Sequence, residues 1–309
     1  MHGTKLCKMA FRLVADGQGE SGQVAIQREA SLRARWLGRQ LREMREQKGL
    51  TLKDVASYAQ RDASSLSRME AGIHPARTPE VLAYLAVCEI HDDRRREALV
   101  QLAIETRETG WWDEFPDFLG SLIDRIWLES RAIEIRSFDA IVIPGSLQTR
   151  QYAEAVIQAA GFDTPKEHMD LQLEARMQRK ERMEANEALH IDVVMDESVL
   201  HRLVGGRETM IEQLDHLLER ADHPKMTIRV LPWSAGAPAA ADGAFDLIRL
   251  EHPYPSGVAY VPSAADARFV EGEWDVERME AQFRRLVSAA LEPEQSKLLI
   301  SEVRRKLVK

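Results

Sequence analysis

The chain has 309 residues, is 44% hydrophobic and 30% charged, and carries a formal net charge of −8. Its composition is that of an ordinary soluble globular protein, and as a soft prior its length suggests two domains of roughly 100–200 residues each. No apolar run approaches the ~20 residues of a membrane span and no signal-peptide core stands at the N-terminus, so a cytoplasmic, nucleoid-associated location with no membrane partner is expected. Two cysteines far apart, Cys7 and Cys88, make no disulfide framework, and Cys88 reads as a small buried hydrophobe. An overall acidic balance argues against a nucleic-acid partner, but the charge is unevenly spread. From Ser31 to Arg77 ten Lys and Arg face five Asp and Glu, a local +5 that leaves −13 elsewhere. A basic module on an acidic body suits a DNA-binding domain joined to an effector domain; solvated charged helices are the alternative.

In chain order, residues 1–30 read as a disordered tail, with Asp16-Gly-Gln-Gly-Glu-Ser-Gly22 unable to hold regular structure. A five-helix domain is expected over 31–109. Trp36, Leu37, Leu41, Met44 and Arg45 recur at helical spacing, and Gly49 is a C-terminal stop. Thr51 and Asp54 form a capping-box variant opening LKDVASYA, whose inner face is Leu52, Val55, Ala56 and Ala59. After a turn over 60–63, a short helix runs to Ala71 with Leu66 and Met69 inward and Gly72 as its stop. Thr78-Pro79-Glu80 opens a fourth helix with Val81, Leu82, Leu85 and Val87 as core, and Asp92-Asp93 a fifth with Leu99, Leu102 and Ile104.

A larger α+β domain is expected over 110–309. Helices are read at 118–135 (Leu122, Ile126 and Ile133 inward), around Tyr152–Ile157, and at 166–186, 208–221, 275–291 and 293–306. Strands are read at 190–195, 226–231, 244–250, 258–261 and 268–270. Clustered strands flanked by helices favour α+β, with a small mixed or antiparallel sheet, over a doubly wound arrangement.

The third helix has an apolar stripe and a surface of Ser64, Ser65, Ser67 and Arg68, the properties of a groove-reading element. A surface helix of a protein-binding adaptor is the bland counterpart. Base readout is expected from Ser64, Ser65, Ser67 and Arg68, and phosphate contact from Arg39, Arg42, Thr51, Lys53 and Arg61. One such helix reads few base pairs, so a homodimer on a two-fold operator is expected. Trp111-Trp112 suits either an effector pocket or packing at a domain junction. Arg176, Arg179, Lys180 and Arg182 suit either an anion site or a solvent face salt-bridged to Glu174, Glu181 and Glu184. The candidate effector set is Trp111, Trp112, Arg176, Arg179 and Tyr260. The nine histidines show no HExxH and the cysteines no paired C-x-x-C, so no metal is expected. No phosphate loop, nucleophile elbow or convergent acid–base set is legible, so neither a cofactor nor enzymatic activity is expected.

Leu37, Leu41, Arg45, Gly49, Thr51, Val55-Ala56 and Ser67-Arg68-Met69-Glu70-x-Gly72 resemble the lambda-repressor/Cro type of helix-turn-helix, the XRE family. The resemblance places the third helix in the major groove and gives Glu70 a supporting role. Leu52 stands where such domains often carry a phosphate-touching Gln, and Arg61 where a small apolar residue is usual. The larger region resembles actinobacterial WhiJ-like regulators. Its carriers are Ile143-Pro-Gly-Ser-Leu-Gln-Thr-Arg-Gln-Tyr-Ala153, Glu174-Ala-Arg-Met-Gln-Arg179, Asp196-Glu-Ser-Val-Leu200, Gln213-Leu214, Val230-Leu-Pro-Trp-Ser-Ala-Gly236, Gly243-Ala-Phe245 and Ala289-Ala-Leu-x-Pro-x-x-Ser296. Pro262 follows Tyr260-Val261 where that family often has an acid. This resemblance implies a transcriptional regulator whose C-terminal domain binds a small protein encoded nearby; sensing of a small molecule by that domain is a further expectation. The rival it carries is an antitoxin-like protein that sequesters that partner and autoregulates its operon. An enzyme with a DNA-binding arm is the third reading.

Overall fold

A computed structural model describes residues 31–107, 110–111, 120–161, 164–251, 254, 257–263 and 267–309. The tail read at 1–30 and Trp112 lie outside these residues. The chain is α+β overall: a helical N-terminal region followed by a larger domain around a six-stranded mixed sheet. Among the described residues no helix is long and apolar enough to cross a membrane.

The first five helices are α1 (Leu32–Gln47), α2 (Leu52–Ala59), α3 (Ala63–Glu70), α4 (Thr78–Val87) and α5 (Asp93–Glu105). Ser31, Thr51, Asp62 and Asp92 cap α1, α2, α3 and α5, each side chain accepting a backbone N–H of the first turn. The capping box read at Thr51 and Asp54 is formed in full. Leu32, Trp36, Leu37, Leu41 and Met44 of α1 pack with Val55, Leu66, Met69, Val81 and Leu85. Two expected core positions are corrected. Leu82 and Ile104 are exposed, while Tyr84 and Ala103 are buried instead. The α4 face that turns inward is the one whose Tyr84 hydroxyl donates to Glu70, 2.8 Å away.

The larger domain contains α6 (Gly120–Arg131), β1 (Ala132–Asp139), α7 (Arg150–Ala160), α8 (Lys166–Ala185), β2 (His190–Asp196), α9 (Ser198–His201), α10 (Arg207–Arg220), β3 (Met226–Leu231), β4 (Phe245–Leu250), β5 (Gly257–Val261), β6 (Arg268–Val270), α11 (Glu273–Ala289) and α12 (Pro293–Val308). The sheet order is β3-β2-β1-β4-β5-β6, with β1, β2 and β3 mutually parallel and the β1–β4–β5–β6 pairs antiparallel. Side chains alternate between two covered faces. Ile135, Val193, Ile228 and Ile248 lie on the face that meets Leu214 of α10 and Ile300 of α12. Phe138, Val194 and Phe245 lie on the other, under Phe283 and Leu286 of α11.

The helix expected over 118–135 is corrected. It stops at Arg131, and Ala132–Asp139 is the central strand. Ile135 pairs with Ile191 on one side and Ile248 on the other. Both edges of β1 are bonded, and α6 runs into it with no Gly or Pro between, so the short Ile133-Glu134-Ile135-Arg136 alternation reads as a continuation of the helix.

The two regions meet along α1. The backbone N–H of Leu32 donates to Asp124 Oδ2 (2.8 Å) and Arg33 Nη1 to the carbonyl of Glu105 (2.7 Å). Glu271, just after β6, accepts from Trp36 Nε1 at 2.7 Å, Arg39 at 2.8 Å and Arg35 at 3.3 Å. Trp36 packs edge-on against Trp127 at 5.6 Å, and Trp127 against Tyr254 at 5.3 Å. Glu105, 1% exposed, accepts from the Tyr254 hydroxyl and pairs with Arg131 at 3.1 Å.

Candidate nucleic-acid interface

The seat of α3 is set by one close approach and one buried ion pair. A Cβ on Gly38 would stand 2.5 Å from the carbonyl oxygens of Met69 and Glu70, so α1 and α3 cross where only glycine fits. Arg45 then clamps Glu70 through two hydrogen bonds of 2.7 and 2.8 Å and donates to the Leu50 carbonyl at 2.9 Å. Tyr84 completes the set from α4. Burial and the Glu70 carboxylate push the Tyr84 hydroxyl far above its ordinary pKa, so it stays a donor. Glu70 therefore has the supporting role expected of it, with every bond turned inward.

On the outer side of α3, Ser64, Ser67 and Arg68 are exposed and Ser65 is half-buried. Asp62 fixes the N-terminus. Its Oδ1 accepts from the Ser65 backbone N–H at 2.7 Å and from the Ser64 hydroxyl at 2.6 Å, which together hold its carboxyl below the usual range. The Ser64 hydroxyl is thus already engaged, whereas Ser65, Ser67 and Arg68 offer side chains with no hydrogen bond or ion pair among the described residues.

The expected phosphate contacts divide in the same way. Thr51 closes the capping box with Asp54, its hydroxyl donating at 2.7 Å, and remains exposed at the start of α2. Lys53, two residues on, is exposed without an ion pair among the described residues. Arg61 pairs with Glu80 at 2.8 Å, Arg42 with Glu46 at 2.8 Å, and Arg39 with Glu271 of the larger domain at 2.8 Å. Gly38 and Asp62 were not singled out in the sequence. A lone glycine between Trp36-Leu37 and Leu41, and an Asp just ahead of a Ser-rich helix, are the signals that mark them.

The effector set comes together only in part. Trp111 and Arg179 line one cleft between α6 and α8. Arg176 turns to Gln148, donating to its Oε1 at 3.0 Å, and Tyr260 lies under the Arg125 guanidinium at 4.3 Å. The solvent-face reading of α8 is corrected. Arg179 is buried against Glu129 at 3.0 Å, and Lys180 donates to the Gln148 carbonyl and lies 2.9 Å from His216. Contacts of α8 with α6, α7 and the 3-10 turn Gly145–Leu147 cover the side that charge patterning assigns to water.

Compared with known families, residues 36–99 match the family described as "Helix-turn-helix domain". Residues 122–302 match that described as "Domain of unknown function (DUF5753)". No curated protein and no solved structure matches the chain.

Proposed function

Because the chain belongs to the DUF5753 family and carries a helix-turn-helix domain ahead of it, we propose that it is a sequence-specific DNA-binding transcriptional regulator rather than an enzyme. The observation that carries this reading is the exposed outer side of α3, where Ser65, Ser67 and Arg68 stand uncommitted above a rigid Gly38–Arg45–Glu70 seat. In the XRE-like arrangement α3 enters the major groove and the start of α2, with Thr51 and Lys53, meets the phosphate backbone. A homodimer would set two copies of α3 on a two-fold site. The larger domain, WhiJ-like in sequence, would govern assembly and respond to a ligand, with no cofactor required. Mobility shift of the intact chain on its own upstream DNA, across salt and with competitor DNA, tests this. A band that survives competitor and weakens with salt is expected; absence of any specific band would refute it.

A second reading, an antitoxin-like protein that also binds a small protein, draws on the exposed apolar residues gathered around α9. Trp233, 59% exposed, stacks on His201; Leu203, two residues after His201, and Ile141, next to the Ala140 whose carbonyl accepts from Ser198, are exposed too. Exposed apolar surface of this kind marks interaction sites. Stable co-purification of the intact chain with the product of a small adjacent reading frame, lost in Trp233→Asp, would favour this role.

A further inference from the structure

We propose that the cleft between α6 and α8 binds a small organic anion with a planar apolar body, and that this ligand is the effector of the regulator. The effector role rests on the regulatory reading above; the binding site does not.

The cleft has a volume of about 390 Å³, within the roughly 300–1,000 Å³ of small-molecule pockets. Trp111 and Trp127 supply aromatic wall, and Arg179 and Arg182 reach in from adjacent positions on one face of α8. The Arg182 guanidinium lies 5.3 Å from the centre of the Trp111 ring. A planar anion meeting that pair can stack on the ring and pair with the cation.

The charge balance points the same way. Arg131, Arg179 and Arg182 line the cleft against one acid, Glu129. Arg131 is committed to Glu105. Glu129 is itself shared, accepting from Arg125 Nε at 2.9 Å while Arg179 Nε stands 3.0 Å from its other oxygen. Among the described residues Arg179 has no further partner and Arg182 has no acid, so the wall carries unbalanced positive charge. Burial pushes the Arg179 pKa down, and the nearby Glu129 only partly opposes it. The Trp127 indole N–H is buried with no acceptor among the described residues, and an acceptor on a ligand reaching that wall would relieve it. Arg125, bonded to Asp246 at 2.7 Å and set over Tyr260, braces Glu129 and through it Arg179. The cation is therefore positioned before any ligand arrives.

The cleft also adjoins the seat of the helix-turn-helix. Trp127 is its wall on one side and packs against Trp36 of α1 on the other, and Arg131 holds Glu105 at the end of α5. A ligand with unequal affinity for two placements of α1 would shift the balance between them.

The probe is 2-naphthoate, titrated calorimetrically into the intact chain without DNA. Saturable binding of one equivalent is expected, at least about tenfold weaker for uncharged 2-naphthalenemethanol and for inorganic phosphate. Arg182→Gln, at an exposed position, and Trp111→Leu should each weaken it about tenfold while circular dichroism stays unchanged. No binding at millimolar probe, or equal binding by both variants, would overturn the site. DNA affinity is then measured with and without the probe. A change lost in Arg182→Gln supports the effector role; an unchanged affinity removes that role and leaves the site standing. DNA binding that fails with and without probe, while 2-naphthoate still binds, removes the regulatory reading alone.

Discussion

Arg42, Lys53, Arg61 and Arg68 of the helix-turn-helix region stand at the surface, unpaired or bonded to a carboxylate on the same region. In the sheet domain Arg125, Arg179, Glu129 and Asp246 are drawn inside and bonded to one another. The buried ion pair under α3, Arg45 with Glu70, belongs with the second group. Surface cations exchange partners at little cost and are available to phosphate, because pairing in water is weak. Buried ones are locked, because removing either partner strands the other in a medium that solvates it poorly. One region thus keeps its charge at the surface, where partners can exchange, and the other uses charge to hold shape around a cleft.

The sharpest way to break this contrast is Arg125→Met, which leaves Glu129 and Asp246 without their shared cation. A loss of about 3–5 kcal/mol in denaturant unfolding is expected; a neutral result would mean that the buried network holds nothing together. Gly38→Ala forces α1 and α3 apart and should cost about 1–3 kcal/mol, with specific DNA binding lost along with the seat of α3; calorimetry and mobility shift read the two effects. Arg68→Ala should leave the melting temperature unchanged and weaken a specific operator by about 1–3 kcal/mol. Lys53→Ala should weaken specific and nonspecific DNA alike and lower the salt slope by about 1. Equal behaviour of these two variants would erase the distinction between base reading and phosphate contact.

The last effect concerns pH. Burial, with Lys180 and Arg220 beside it, lowers the His216 pKa from 6.5 to about 4. Between those values the unfolded chain binds the proton that the folded chain refuses, so stability rises with pH. The His216 contribution is fully present above about 6.5 and is lost as pH falls toward 4. His216→Gln should flatten that slope by one proton in unfolding curves taken across the range; an unchanged slope would mean that burial does not hold His216 neutral.

Much of the N-terminal region was legible because its signals are local. Thr51 with Asp54, Pro79 and the spacing of Trp36, Leu37, Leu41, Met44 and Arg45 each act within a turn or two of helix, and each stands where it was read. Five of the six strands were read from the sequence. The exception, Ala132–Asp139, follows α6 with no Gly or Pro break, so its short Ile133-Glu134-Ile135-Arg136 alternation merges with the helix before it. The candidate contact residues could be named, but which of them are already committed within the protein could not. Glu80 and Glu271, the partners of Arg61 and Arg39, lie in other elements. The buried face of α8 was missed for the same reason, since alternating Arg and Glu look alike whether water or α6 lies opposite.

By itself the sequence determined the first five helices, the α+β class and the exposed Ser and Arg side of α3, because caps, stops and apolar spacing are written within a few residues. The tertiary structure alone decided that β1 is the centre of the sheet, that Gly38 seats α3, and that Trp111 and Arg179 share a cleft. Those features arise where distant segments meet, as when Glu271 accepts a hydrogen bond from Trp36, 235 residues away in sequence. No local pattern encodes a partner at that distance; packing and the need to satisfy buried charge select it.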